Sequence, residues 1–168
     1  MHKISIVVSL LAAAVLPLSA QSDCKATVLK HLQTSRDFTV KVAEAMPADS
    51  YNFKLTPPQM SFAEQMVHLS QGLAYFESPF LGQKPNPPKP ASMNKEDVVA
   101  FVKTSFDKAI EVVSSLTPEQ LSKTYKSGGE SRSGTDILLG MLDHNTHHRA
   151  SAEMYLRAKG ITPPAYEY

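Results

Sequence analysis

The segment 79–93, PFLGQKPNPPKPASM, decides how the rest of the chain is arranged. It holds five prolines between Pro79 and Pro90. Each proline fixes its own φ, lacks an amide donor and pushes its predecessor out of the helical region. Neither a helix nor a central strand survives that density. A semi-rigid connection of this length carries the chain along a bundle instead of simply reversing it.

Amphipathic helices flank the segment on both sides. Upstream, Ser61 followed by Glu64 is a capping-box signature. Phe62, Met66, Leu69, Leu73 and Phe76 then build one apolar stripe, and Pro79 ends it. Earlier still, Val28, Leu32, Ser35, Thr39, Val42 and Met46 recur at spacings of 3 and 4, beside Leu29 and Ala43. That pattern predicts a helix stopped by Pro47. Downstream, Asn94 caps a third helix, with Glu96 and Asp97 favourable at its positive end. Val98, Phe101, Val102, Phe106, Ala109, Val113 and Leu116 supply its apolar face. TPEQL, 117–121, reads as a single helical turn with Thr117 as cap and Pro118 in first position. KTYKSGGESRSG, 123–134, reads as a polar Gly/Ser loop. A last helix is expected from Thr135 to Lys159, ended by Gly160 and by Pro163 and Pro164. No strand and no internal repeat is expected. The predicted class is all-α: a four-helix bundle with a long Pro-rich crossover between helices 2 and 3.

The first 20 residues, MHKISIVVSLLAAAVLPLSA, have the layout of a secretory signal peptide. Lys3 precedes an apolar run of 15 residues, Ile4 to Leu18, and Ala20 offers a small residue at the cleavage point. The run is shorter than the ~20 residues a spanning helix needs. Cys24 follows Gln21, Ser22 and Asp23, so it does not occupy the position a lipoprotein anchor would take. The expectation is a periplasmic or secreted protein whose mature part, 21–168, is one domain. Without residues 1–20 the chain has 16 basic and 16 acidic residues. That balance gives no electrostatic footprint for nucleic acid and no support for stable membrane association after cleavage. A single cysteine allows no internal disulfide. A homodimer is compatible with all of this.

The predicted last helix carries LDHNTHHRASAEMYLRAKGI, 142–161, with His144, His147 and His148 inside five positions. At about 100° per residue, His144 and His148 lie about 40° apart on one face, and His147 lies on the shoulder. An i, i+4 pair presents two imidazoles to one metal ion, as in the HExxH geometry. A third ligand has to come from elsewhere, and His68, at the edge of the second helix's stripe, is placed to supply it. Three imidazoles leave coordination positions open, which is the composition of a catalytic site. On spacing alone the pair equally fits an incidental polar face. Glu64, Asp143, Asn145 and Tyr155 are the nearby groups with acid, base or hydrogen-bonding capacity. Their structural readings are capping partner, solvated surface, solvated surface and core, and Arg149 is expected to face solvent or a carboxylate. A di-iron bundle requires Glu-x-x-His pairs, and Glu64 and His68 are one residue too far apart. One cysteine cannot attach a c-type haem. A b-type haem would leave the histidine pair unexplained.

These residues also carry a resemblance. MVHLSQ in the second helix, HNTHHRASAEMYLRAKGITPP in the last and, more weakly, MPADSYNFKLTPPQMSFAE between the first two resemble the DinB-like (DinB/YfiT) family over residues 26–167. The resemblance implies a four-helix bundle with a long crossover and a divalent metal held by three histidines. By position these are His68, His144 and His148, with His147 outside the set. It also implies activation of a low-molecular-weight thiol for S-transfer or isomerisation, on a small-molecule substrate of unknown identity. Export argues against a thiol cofactor, because an oxidising compartment does not keep thiols reduced. Activation of water, hence hydrolysis, is the other use of such a centre. Three imidazoles suit zinc, nickel, iron or copper. The competing expectation is a non-catalytic exported bundle that binds a small molecule or a protein partner.

Overall fold

The computed structural model describes residues 16–167, with side chains from Cys24 onward. Residues 1–15 of the expected signal peptide lie outside the described residues, and residues 16–20 continue the first helix. Helix α1 runs Leu16–Ala45, α2 Phe62–Glu77, α3 Lys95–Ser115 and α5 Gly134–Ala158, with a short α4 at Pro118–Ser122. No described helix is long and apolar enough to cross a membrane.

The four long helices pack in a ring. Both α1 and α2 lie chiefly against α3 and α5, so the two sequential helices α1 and α2 occupy opposite corners. Each predicted stripe turns inward: Val28, Leu32, Val42 and Met46 from α1, Phe62, Met66, Leu69 and Leu73 from α2, and Val98, Val102, Phe106, Ala109 and Val113 from α3 are buried in one core. Segment 79–93 forms neither helix nor strand and links the neighbouring α2 and α3. Gln71 tethers it by donating from Nε2 to the Pro88 carbonyl at 2.9 Å.

The helix ends follow from local chemistry. Ser61 and Glu64 make the expected capping box, Asn94 accepts from the Asp97 amide, and Thr117 and Gln120 form a second capping box on α4. The link between α1 and α2 contributes as well, since Phe53 and Tyr51 carbonyls accept from the Phe62 and Ala63 amides. Two lysines tie α1 to α3 end to end. Lys95 at the start of α3 donates to the Glu44 and Met46 carbonyls at 2.6 and 2.8 Å. Lys25, in the third turn of α1, donates to the Leu116 carbonyl at 2.9 Å. The two helices therefore run antiparallel, each shielding the negative end of the other's dipole. Helix α5 ends in a Schellman arrangement, with Gly160 and Ile161 amides donating to Arg157 and Leu156 carbonyls.

The loop expected at 123–134 is instead an antiparallel hairpin, β1 Thr124–Ser127 and β2 Glu130–Ser133. Gly128 and Gly129 both have positive φ, 61° and 84°, which a tight two-residue hairpin turn requires. The strands carry no apolar alternation, so only the Gly-Gly pair marked them.

Candidate metal centre

His68, His144 and His148 converge between α2 and α5. Each offers a ring nitrogen within 4.8 Å of the others. The ring centroids lie 5.3 Å apart for His68–His144, 4.5 Å for His68–His148 and 4.4 Å for His144–His148. The i, i+4 spacing on α5 supplies one edge of the triangle, and the packing of α2 against α5 supplies the apex. His147 is exposed and outside the cluster, with its ring edge-on to His148 at 4.9 Å.

The local environment favours neutral imidazoles. Burial, followed by the neighbouring His144, His68 and His147, pushes His148 down to about 4. Burial is also the main cause that lowers His144, again with like-charged neighbours behind it. No Asp or Glu belongs to the cluster. Neutral rings are the form that binds a cation.

Two residues that the sequence did not single out shape the cluster. Gly72 sits under His144: a Cβ there would lie 2.2 Å from Cε1 and 2.5 Å from Nδ1 of the ring. Only glycine lets α2 approach so closely. Gln65, buried on α2, places its amide nitrogen 2.7 Å from His148 Nδ1 and 3.5 Å from the His148 carbonyl. Were His148 to offer Nε2 to a cation, Nδ1 would carry the proton, and the Gln65 amide would turn its oxygen to accept it, giving up the contact with the His148 carbonyl. The signal for Gly72 was a glycine inside a strong helical pattern, which often marks close approach. Gln65 carried no signal.

A divalent cation fits these residues on two grounds. The buried Nδ1 of His144 has no hydrogen-bond partner among the described residues. Three imidazoles also crowd together there with no carboxylate among them. The donor set is three nitrogens, borderline in softness, and leaves positions for further ligands.

The remaining candidates divide. Glu64 is the capping partner, at 3.6 Å from Lys54, and its carboxyl is held below the ordinary range chiefly by the Ser61 amide. Asp143 is exposed and Tyr155 is core, its hydroxyl donating to the Met60 carbonyl at 2.5 Å. Asn145 and Arg149 depart from expectation, because both are buried. Arg149 donates to Ser35 Oγ at 2.7 Å and lies 4.6 Å over the Phe38 ring. The reason is that α5 is covered by α1 as well as by α2, so polar positions on its far side still face protein.

A profile of the DinB family matches residues 19–168. The YjoA protein of Bacillus subtilis (strain 168), itself described as uncharacterized, is 25% identical over 145 residues, covering 83% of this chain and 94% of that one. The crystal structure of YjoA, a DinB-like protein, superposes with a TM-score of 0.69 over 83% of this chain and 96% of its own, at 24% identity. A DinB-like protein from Bacillus cereus ATCC 10987 superposes with a TM-score of 0.74 at 16% identity, covering 84% of this chain and 97% of that one. With a matching profile over nearly its whole length, the chain belongs to the DinB family.

Proposed function

We propose that the chain is an exported, metal-dependent enzyme whose divalent cation is held by His68, His144 and His148. The observation that carries this reading is the convergence of three imidazoles from two helices, with nitrogens within 4.8 Å and no carboxylate among them. A cation bound there would lower the pKa of a water or thiol and polarise a substrate group. The protein's own part is to keep the His144 and His148 rings neutral by burial, to orient His148 through Gln65 and to seat His144 on Gly72. Two clefts open beside the cluster, of about 330 Å³ at His68 and His144 and about 430 Å³ at His148, so a small molecule has access. Neither cleft is lined by an Asp or Glu. Export to the periplasm or medium favours water over a thiol as the activated group.

The test is elemental analysis of tag-free protein recovered from the periplasm or medium. About one divalent ion per chain is expected, falling to background in His148→Ala. Full metal content in that variant would remove the site as drawn. The recovered chain should start near Gln21, and an intact N-terminus on cytoplasmic protein would overturn export.

A further inference from the structure

The two clefts beside the histidines differ in chemistry, and the difference points to a ligand class. The cleft at His68 and His144 is walled by Tyr75 and Phe76 of α2, by Gly72, and by Pro87 of the crossover. Phe76 stands edge-on to His144 at 5.8 Å and Tyr75 edge-on to Phe76 at 5.6 Å. The one amide in the wall, Gln71, is already committed to the Pro88 carbonyl. Apart from the Tyr75 hydroxyl and the Gln71 amide oxygen, polarity is therefore concentrated at the two imidazoles, and the rest of the wall is apolar. The cleft beside His148 mixes Gln59, Gln65, His147 and Ser151 with apolar Leu55, Met60 and Met154.

We propose that the cleft of Tyr75, Phe76 and Pro87 receives a flat apolar ring, carried by a ligand whose polar head reaches the histidine-bound cation. This rests on the metal reading above. The size agrees: an apolar cavity of about 150 Å³ already holds benzene, and this cleft offers about 330 Å³. Aromatic walls reward a ring beyond the area it buries, through offset and edge-to-face contacts. Pro87 serves as a fixed wall because its φ is locked and its neighbour Pro88 is tethered to α2. The substrate class is thus an aryl or similarly flat apolar compound with a donor atom one or two bonds from the ring.

The test uses the full chain loaded with Co(II), read by its visible absorption, and two probes, imidazole and 4-phenylimidazole. The phenyl compound is expected to bind about tenfold tighter or better. Tyr75→Ala and Pro87→Gly should each reduce that preference to about threefold or less, with far-UV circular dichroism retained. Equal affinity of the two probes on cobalt-loaded protein overturns the ring pocket while leaving the metal centre standing. A phenyl preference untouched by both variants places the ring elsewhere and overturns it too. Failure to take up cobalt overturns the metal reading itself, and is seen before any probe is added.

Discussion

At the scale of single residues, the centre depends on a side chain that is missing. Gly72 leaves the space that the His144 ring fills, with a hypothetical Cβ 2.2 Å from the ring. Gly72→Ala would ordinarily favour a helix by about 1 kcal/mol. Here the clash should displace His144 and lower metal affinity by about tenfold or more, with helicity kept. Competition with a chromophoric chelator measures this, and unchanged affinity would show that the ring has room to move. Glu77 is a second residue without a signal in the sequence. It is buried at the end of α2. Burial outweighs the opposing Lys108 charge and, with a smaller push from Glu111, raises its carboxyl from 4.5 to about 7. Between those values the folded chain holds a proton that the unfolded chain has released, so stability falls as pH rises through that window. Glu77→Gln should remove this slope and, above pH 7, stabilise the protein by on the order of 2 kcal/mol. Chemical denaturation at pH 5 and pH 8 checks it; parallel curves for both proteins would sink the assignment.

At the scale of elements, α1 and α3 hold each other by their ends. Lys95 gives two hydrogen bonds to the last carbonyls of α1. Such carbonyls have no partner within their own helix. Lys95→Ala should therefore cost about 1–2 kcal/mol. Lys103, which pairs with Glu44 across the same two helices, is exposed along with its partner. Lys103→Ala should cost less than about 0.5 kcal/mol, because solvent and side-chain entropy cancel most of an exposed pair. Urea titrations of the two variants separate the cases, and equal losses would argue against dipole capping. The hairpin β1–β2 shows the opposite situation. It has no apolar face to advertise it, and its form comes from a Gly-Gly turn between polar strands.

At the scale of the molecule, what sequence could show was whatever repeats with a helical period. Three apolar stripes, a capping box, further caps and stops and a proline-rich crossing specify four long helices without reference to partners. Pairing is another matter, since α1 and α2 stand at opposite corners although they are consecutive. That choice depends on how whole faces fit. The site divides in the same way. His144 and His148 are legible because one helix places both, and His68 only through a resemblance and its position beside a stripe. Polarity and helical angle point Asn145 and Arg149 toward solvent or a carboxylate, whereas α5 is flanked by α1 and α2 and both side chains are buried. Gln65 and Glu77 were hidden because burial of a polar side chain is a property of its neighbours. The lysine ties carry one further consequence, for truncation. Lys25 grips the end of α3, and the packed part of α1 begins beside it at Cys24 and Val28. A chain lacking residues 1–20 would still carry that grip, so such a truncation should leave the packing of α1 on α3 in place. The fastening that sets the register of α1 and α3 thus also marks how far the chain can be shortened before the bundle registers the loss.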